Sequence, residues 1–389
     1  GIWLATARAC VAAAAAPQAG EPDARPVTLV IGNEASDADS IVAALTYAYF
    51  RAREGGGEHA GRTIPMVACD RADMSLRRET VHLLGLCGVE HGGLVFLGDA
   101  GTRETLALAE RVVLVDHNQA VGLVASLGDR VAEIVDHHQD SGAHGRVVGD
   151  LRKVAFQGGK ATVGSCCTLV AEAYLASDAG RELLARDDGA VARALLGVIL
   201  VDTVNLDPKA QKATDRDTHA VEVLERLAPQ PLRAELFKQL DSAKFDAAFW
   251  DSLAVDQCLR YDYKQFEARG KVFGLSSVLC SLESLASKAG WCDEVGKWAG
   301  KVDLYGVLTN VKSAGGGAPQ RQIALVSGDA GACAAEAADF AAAYKEPPLQ
   351  LEPMELQGPP GLKAFRQLNV AASRKQVAPC LSAFLHARV

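Results

Sequence analysis

Ten cysteines are scattered along this 389-residue chain, yet no two stand in a C-x-x-C spacing. That absence argues against a zinc site built on thiolates. Scattered thiols in a long chain suit a reducing compartment, and several lie in apolar runs, as small core residues do. No apolar run is long enough to span a membrane. Positive charge is not in excess either. The formal net charge of −8 argues against a nucleic-acid binder working through bulk charge, although a few focused cations can still hold an anionic substrate. An initial Met is absent too. The opening stretch, GIWLATARACVAAAAAPQAG, is Ala-rich, carries Arg8 and has no acidic residue. It is compatible with the tail of a transit peptide, but the plainer reading, preferred here, is a disordered leader over residues 1–26. A cytoplasmic location is expected, with an organellar one left open by that start.

What is present is a folded chain, 49% hydrophobic and 23% charged, with length for two or three domains. Val27–Ile31 reads as a first strand, bounded by Pro26 and Gly32, and Ser40–Arg53 as a helix. A Gly-rich loop at Gly55–Arg62 leads to a strand at Thr63–Ala68 and a helical stretch at Leu76–Leu86. Strands are then expected at Leu94–Leu97, Val112–Val115 and Val131–Val135, with a short helix at Thr102–Glu110. Apolar runs alternating with helical stretches indicate βαβ units and a parallel sheet. Almost every run ends in an Asp, on the edge where α/β proteins bind ligands.

Val147–Phe156 is a further extended piece. Ser165 is a plausible N-cap for the helix CCTLVAEAYLA, whose first N–H groups could serve a phosphate, though an ordinary cap is the simpler reading. Ala190–Leu200 is long and apolar enough for a buried helix delivering Asp202, and Thr214–Leu227 is another helix. The segment APQPLR, residues 228–233, reads as a linker after a domain at 27–227. From 234 to 389 the pattern changes to α+β with antiparallel pairing. Tyr261–Ala268 pairs with Lys271–Leu279, and Val302–Asn310 with Gln320–Val326 through a loop holding Gly315–Gly317. A late strand is expected at Gly361–Val370, and Glu346–Pro360 is Pro-rich surface loop.

The chemistry-bearing residues are Asp37, Asp39, Asp116, His117, Asp136, His137, His138 and Asp202. Carboxylates with some imidazole and no thiolate suit hard or borderline divalent cations such as Mg²⁺ or Mn²⁺. Like charges on one sheet edge repel, and two metal ions would compensate them while activating a water and clamping a phosphoryl oxygen. Asp37 and Asp39 have a plain alternative as loop and N-cap residues. Lys264 in DYKQF and Arg374–Lys375 in SRKQ offer the opposite charge.

GNEASDADS (32–40), VLVDHN (113–118), IVDHH (134–138) and ILVDT (199–203) resemble the four signature motifs of the DHH phosphoesterase superfamily. SRKQVAP (373–379) and DYKQF (262–266) resemble its DHH-associated C-terminal domain. The resemblance runs from about Val27 over nearly the whole chain and is nearest the exopolyphosphatase branch, with prune-type proteins and manganese-dependent family II inorganic pyrophosphatases as cousins. It implies an α/β fold with an N-terminal parallel-sheet domain, a smaller C-terminal α+β domain with a mixed sheet, and an active site in the interdomain cleft.

The resemblance also implies roles. Asp37 and Asp116 would hold one divalent cation, Mn²⁺ or Mg²⁺. Asp39, Asp116, His137 and Asp202 would hold a second, and a hydroxide between the two would attack the terminal phosphorus in line. His138, Lys264, Arg374 and Lys375 would bind phosphoryl groups, with His138 also assisting the leaving group. Arg77 and Arg78 resemble a family basic pair that would contact a longer chain; their plainer reading, slightly preferred here, is two exposed helix cations. Pyrophosphatases carry a metal-binding His where this chain has Asn33, whose amide oxygen is a weaker ligand. Prune-type proteins typically have Arg where this chain has His138. The expected function is release of orthophosphate from the ends of inorganic polyphosphate, with no nucleic-acid or membrane partner. The alternatives are an inorganic pyrophosphatase, a prune-type short-chain polyphosphatase or cyclic-nucleotide phosphodiesterase, and an inactive scaffold. A scaffold would be expected to have lost a ligand, and only Asn33 departs from the pattern, as it does in the exopolyphosphatases.

Overall fold

The computed structural model describes residues 27–54, 62–99, 102–228, 230–312, 319–329 and 331–387. The expected leader at 1–26 and nearly all of the two Gly-rich loops, 55–61 and 313–318, lie outside the described residues. The chain forms two compact units, residues 1–244 and 245–389.

The first unit is built on a parallel sheet of order β2-β1-β3-β4-β5. Its strands are β1 (Val27–Ile31), β2 (Arg62–Met66), β3 (Ala109–Val115), β4 (Val131–Asp136) and β5 (Arg152–Val154). The inner strands β1, β3 and β4 are largely apolar on both faces because both faces are covered, while the edge strand β5 carries Arg152 and Lys153. Val30, Val113, Val115 and Val135 point into the main core, while Leu29, Ile31, Val112, Leu114 and Ile134 point into a second core on the opposite face. The main core is filled by helices α1 (Ala38–Glu54), α2 (Arg78–Leu86), α4 (Cys166–Leu175), α5 (Asp178–Asp202) and α6 (Asp215–Leu227); α3 is Thr102–Leu108. Helix α5 is interrupted by non-helical backbone at Arg186–Gly189; the expected Ala190–Leu200 run after the break is buried, and Leu183 and Leu184 before it enter the same core. Helix α7 (Arg233–Lys244) sets Leu236 and Leu240 into the same core.

One expected strand is corrected. Leu94–Leu97 makes a single parallel bridge, Val67 to Phe96, and no strand. The two bonds of that bridge, Val67 N to the Val95 carbonyl at 2.9 Å and Leu97 N to the Val67 carbonyl at 2.8 Å, are made, but the chain then turns: Asp99 N donates to the Phe96 carbonyl at 3.1 Å, and the Asp99 carboxylate accepts the Phe96 N–H at 3.0 Å on the side away from Val67. The extended piece at Val147–Phe156 is divided into a 3₁₀ turn at Gly149–Leu151, the short β5 and the start of β6 (Phe156–Gln157), which pairs antiparallel with β7 (Lys160–Ala161).

The second unit opens with α8 (Ala247–Ser252) and α9 (Val255–Tyr261) and carries a mixed sheet of order β12-β13-β11-β10-β9-β8. Strands β8 (Tyr263–Ala268) and β9 (Lys271–Val278) form the expected hairpin. Its turn residues Arg269 and Gly270 both have positive φ, 50° and 73°, as a tight two-residue hairpin requires. Strand β9 pairs in parallel with β10 (Leu304–Thr309) after α10 (Leu282–Ala286) and α11 (Trp291–Ala299). Strand β11 (Arg321–Val326) runs antiparallel to β10. Helix α12 (Ala332–Ala343), strands β12 (Leu351–Met354) and β13 (Lys363–Gln367) and helix α13 (Arg374–Ala387) complete the unit. No helix among the described residues is long and apolar enough to cross a membrane.

Candidate metal centre

In a parallel sheet all strands end on one edge, and the order in which strands are added reverses between β1 and β3, the place where such sheets form a crevice. The acidic motifs leave the sheet there. Asn33–Asp39 follows β1, Asp116 follows β3, Asp136–His138 ends β4, and Asp202 closes α5. Two of these exits are strained. Asp116 has φ 60°, and Val204, Asn205 and Leu206, just past Asp202, have φ 53°, 55° and 60°. Non-glycine residues held in this region cost about 1–3 kcal/mol each and persist where their surroundings over-determine them.

Asp116 is 2% exposed, and its two oxygens are differentiated. Oδ2 accepts from Asn33 Nδ2 at 2.7 Å and from Ser40 Oγ at 2.6 Å. Oδ1 faces the imidazoles, 3.4 Å from His137 Nε2 and 3.6 Å from His138 Nδ1. Asn33 also donates to the Asp116 carbonyl at 3.1 Å, and its own Oδ1 accepts from Ala35 N at 2.9 Å. Its amide thus braces Asp116 and its loop. Gly32 makes this approach possible: a Cβ there would lie 2.7 Å from both Cβ and the carbonyl oxygen of Ser40.

Asp39 is buried at the N-terminus of α4. Cys166 N and Cys167 N donate to it at 2.7 and 2.8 Å, and Ser165 Oγ at 2.8 Å. The helix N-terminus that could have served a phosphate therefore holds a carboxylate of the chain itself. Burial, with the neighbouring charge of Asp116, still pushes the Asp39 carboxyl up to about 6. His137 lies 3.8 Å from Asp39 through Nε2, while its Nδ1 is 3.2 Å from the Val163 carbonyl oxygen. A carbonyl can only accept, which assigns the proton to Nδ1. In the neutral ring the Nε2 lone pair then points at carboxylate oxygens, an arrangement that a cation reconciles.

Asp136 is fully buried and holds the other histidine. Its Oδ1 accepts from His138 Nδ1 at 2.8 Å and His137 N at 2.7 Å, and Asn118 Nδ2 donates to Oδ2 at 2.5 Å. Burial alone would raise this carboxyl, but the bonding and charge of His138 outweigh it and hold it at about 2. Asp116, His137 and His138 together present one ligand atom each within 4.8 Å of one another. His117 stands aside, with Nδ1 2.9 Å from the Val115 carbonyl oxygen.

Asp37 and Asp202 complete the acidic set. Asp37 is half-buried and caps α1 through Oδ1, which accepts from Ser40 N at 3.0 Å, so the N-cap reading holds for it alongside any other role. Asp202 occupies the C-terminus of α5, where the helix dipole disfavours an anion. Its Oδ2 is sealed from solvent with no hydrogen-bond partner among the described residues. Burial and the charges of Asp39 and Asp37 push its carboxyl well above the usual range. An orphaned carboxylate oxygen beside two further carboxylates and an imidazole is a donor set that fits divalent cations.

The expected basic residues are placed unequally. Arg77 is 2% exposed, not an exposed helix cation. Its guanidinium donates to the carbonyls of Ser36 (2.5 Å), Ala35 (2.6 Å) and Asp73 (2.8 Å), clamping the loop after β1. Buried carbonyls draw in the one side chain that can satisfy three of them at once. Arg78, by contrast, is exposed. Arg77→Met is expected to lower stability by roughly 3 kcal/mol, because carbonyls lose buried donors, read as a fall in melting temperature. A pure substrate contact would instead raise KM and leave melting unchanged. In the second unit Lys264 is half-buried on β8, and Arg374 donates to the carbonyl and to Oδ1 of Asp262, both at 2.7 Å. That pair draws Arg374 to the end of β8 where Lys264 lies, and Lys375, exposed, is the next residue. The strand-end acids Asp70 and Asp99 stand elsewhere: Asp70 occupies the N-cap position of a 3₁₀ turn through its backbone, and Asp99 pairs with Arg71 at 2.7 Å.

Ser40 and Asn118, which sequence reasoning passed over, brace Asp116 and Asp136 through contacts that spacing does not reveal, and only their lying inside the motifs hinted at them.

The DHH family N-terminal domain matches residues 27–214, and the DHHA2 domain matches residues 238–384. The chain is 31% identical over 372 residues to exopolyphosphatase PRUNE1 of Bos taurus, covering 94% of this chain and 77% of that protein. It is 26% identical over 267 residues to a manganese-dependent inorganic pyrophosphatase of Methanothrix thermoacetophila, covering 67% and 72%. Its fold is similar to that of a Methanococcus jannaschii protein assigned to the family II inorganic pyrophosphatases, with a TM-score of 0.61 at 20% identity over 92% of this chain and 99% of that one.

Proposed function

Since the chain belongs to the DHH family, we propose that it is a metal-dependent phosphoanhydride hydrolase that releases orthophosphate from the ends of inorganic polyphosphate. The observation that carries this reading is the buried cluster of carboxylates and imidazole on one sheet edge, with an orphaned Asp202 oxygen and a differentiated Asp116. Asp37, Asp39, Asp116, His137 and Asp202 would hold two divalent cations, Mn²⁺ or Mg²⁺. Bound there, the cations supply acidification of a water and neutralisation of phosphoryl charge.

The chain's own residues do the rest. Asn33 and Ser40 hold Oδ2 of Asp116 so that Oδ1 is the oxygen offered to the imidazole side. His138, with Nδ1 fixed by Asp136, holds a proton at Nε2 for the departing phosphate oxygen. Lys264, Arg374 and Lys375 bind phosphate oxygens; Arg374 has five N–H donors, of which Asp262 engages two. Arg78 is the member of the arginine pair suited to a longer anionic chain, since Arg77 is built into the loop.

The position of Asn33 favours polyphosphate over pyrophosphate. Its Oδ1 accepts from Ala35 N and its Nδ2 donates to Asp116, so it adds bracing where an imidazole would add a ligand. The test is phosphate release from polyphosphate, pyrophosphate and a cyclic nucleotide with Mn²⁺ or Mg²⁺. Polyphosphate is expected to be the best substrate, and hydrolysis is expected to cease on chelation. Asn33→His is expected to raise pyrophosphate turnover relative to polyphosphate. Hydrolysis that persists after chelation overturns the mechanism, and an unchanged ratio removes the role given to Asn33.

A further inference from the structure

Asp217, on the first turn of α6, is fully buried and lies outside every signature motif. Its two oxygens accept five hydrogen bonds. Two come from Thr214, N and Oγ1, both at 2.8 Å, and the first of them is one half of an ordinary capping box. The other three cross to a distant turn: Gly164 N donates to Oδ1 at 3.0 Å and to Oδ2 at 2.8 Å, and Thr168 Oγ1 donates to Oδ1 at 2.6 Å.

That turn serves two metal-ligand candidates at once. The Val163 carbonyl oxygen meets His137 Nδ1, which sets the ring's tautomer. Ser165 Oγ, Cys166 N and Cys167 N meet the carboxylate of Asp39. Between these points Gly164 is wedged: an added Cβ would lie 2.6 Å from the Lys212 carbonyl oxygen, 2.7 Å from Thr203 Cγ2 and 3.3 Å from Asp217 Oδ2. Thr203 directly follows Asp202. One carboxylate therefore fixes the backbone that orients His137 and Asp39, at a place packed against the neighbour of Asp202.

We infer that Asp217 is a positioning residue of the metal centre, acting through the Val163–Thr168 turn. A helix cap accounts for only one oxygen of Asp217, whereas the bonds from Gly164 and Thr168 engage both and leave the helix, and a buried carboxylate is expensive to desolvate. Groups that orient metal ligands typically change metal affinity by ~10–100-fold when altered. The inference rests on the divalent-cation reading above.

The experiment is calorimetric titration of Mn²⁺ into the full chain, with melting temperature recorded in parallel. Asp217→Asn places an N–H₂ group against the Gly164 or Thr214 donors and is expected to weaken Mn²⁺ binding by ~10–100-fold. Thr214→Ala removes one local bond to the same carboxylate but no cross-link to the turn, and is expected to lower melting while changing Mn²⁺ affinity less than Thr168→Val does. Thr168→Val removes one cross-link at nearly constant volume and is expected to weaken Mn²⁺ binding by a smaller factor. Unchanged affinity in Asp217→Asn overturns the assignment; if that variant does not fold, unchanged affinity in Thr168→Val overturns it. An unsubstituted chain that takes up no Mn²⁺ overturns the divalent-cation reading itself, and the assignment with it.

Discussion

Asp116→Asn is expected to reduce phosphate release by about 10³-fold or more, the rate equivalent of several kcal/mol of charge stabilisation withdrawn from the transition state. The substitution is nearly isosteric, so the reason is chemical. Asn33 Nδ2 and Ser40 Oγ both donate to Asp116 Oδ2. An asparagine must turn its carbonyl oxygen toward those donors, because its amide N–H₂ would face another N–H₂ there. The amide nitrogen then lies where Oδ1 faced His137 Nε2 at 3.4 Å. A ligand oxygen is exchanged for a hydrogen-bond donor, the worst substitute beside a cation. The resemblance gives Asp116 to both cations, so one change would impair two sites. Phosphate release at saturating Mn²⁺, together with the melting shift on adding Mn²⁺, measures the loss. A full Mn²⁺-induced shift with full activity would remove Asp116 from the centre.

Asp202→Asn is expected to divide stability from function. In the metal-free protein this carboxylate has a sealed Oδ2 and feels Asp39 and Asp37. Its folded-state carboxyl takes up a proton at higher pH than an unfolded one. The folded state therefore binds more protons across that window, and its stability falls as pH rises through it. Removing the charge is expected to stabilise the metal-free chain at neutral pH by about 1 kcal/mol, as replacement of strained functional groups commonly does. For a unit of this size that is about 2–4 °C in melting temperature. The gain should vanish near pH 4 and below, where the unfolded carboxyl is protonated as well. Mn²⁺ should then protect the variant much less than the parent, and activity should fall by orders of magnitude. A variant less stable than the parent without metal, at neutral pH, would show that Asp202 is held by contacts of its own.

Much of this was legible in the residues. Apolar runs ending in Asp announced the parallel sheet and the edge that carries the site, because both faces of that sheet are covered and its strands read as unbroken hydrophobic stretches. The hairpin Tyr263–Ala268/Lys271–Val278 was legible from its turn residues. Leu94–Leu97 was misleading because its strand pattern is genuine. What cuts it to one bridge is the turn that follows at once, where Asp99 N donates to the Phe96 carbonyl and the Asp99 side chain, paired with Arg71, accepts the Phe96 N–H.

The types of the candidate ligands and their order along the chain were set by the sequence alone, since divalent-cation chemistry needs those functional groups and the motifs keep them at strand ends. Their division of labour was decided by tertiary structure. That Arg77 clamps Ala35 and Ser36, that Ser40 and Asn33 hold one oxygen of Asp116, and that Asp39 occupies the N-terminus of α4 depend on contacts between residues 41 to 128 positions apart. Hydrogen-bond direction across such separations is fixed only when packing brings buried donors to buried acceptors and excludes the water that would otherwise satisfy them.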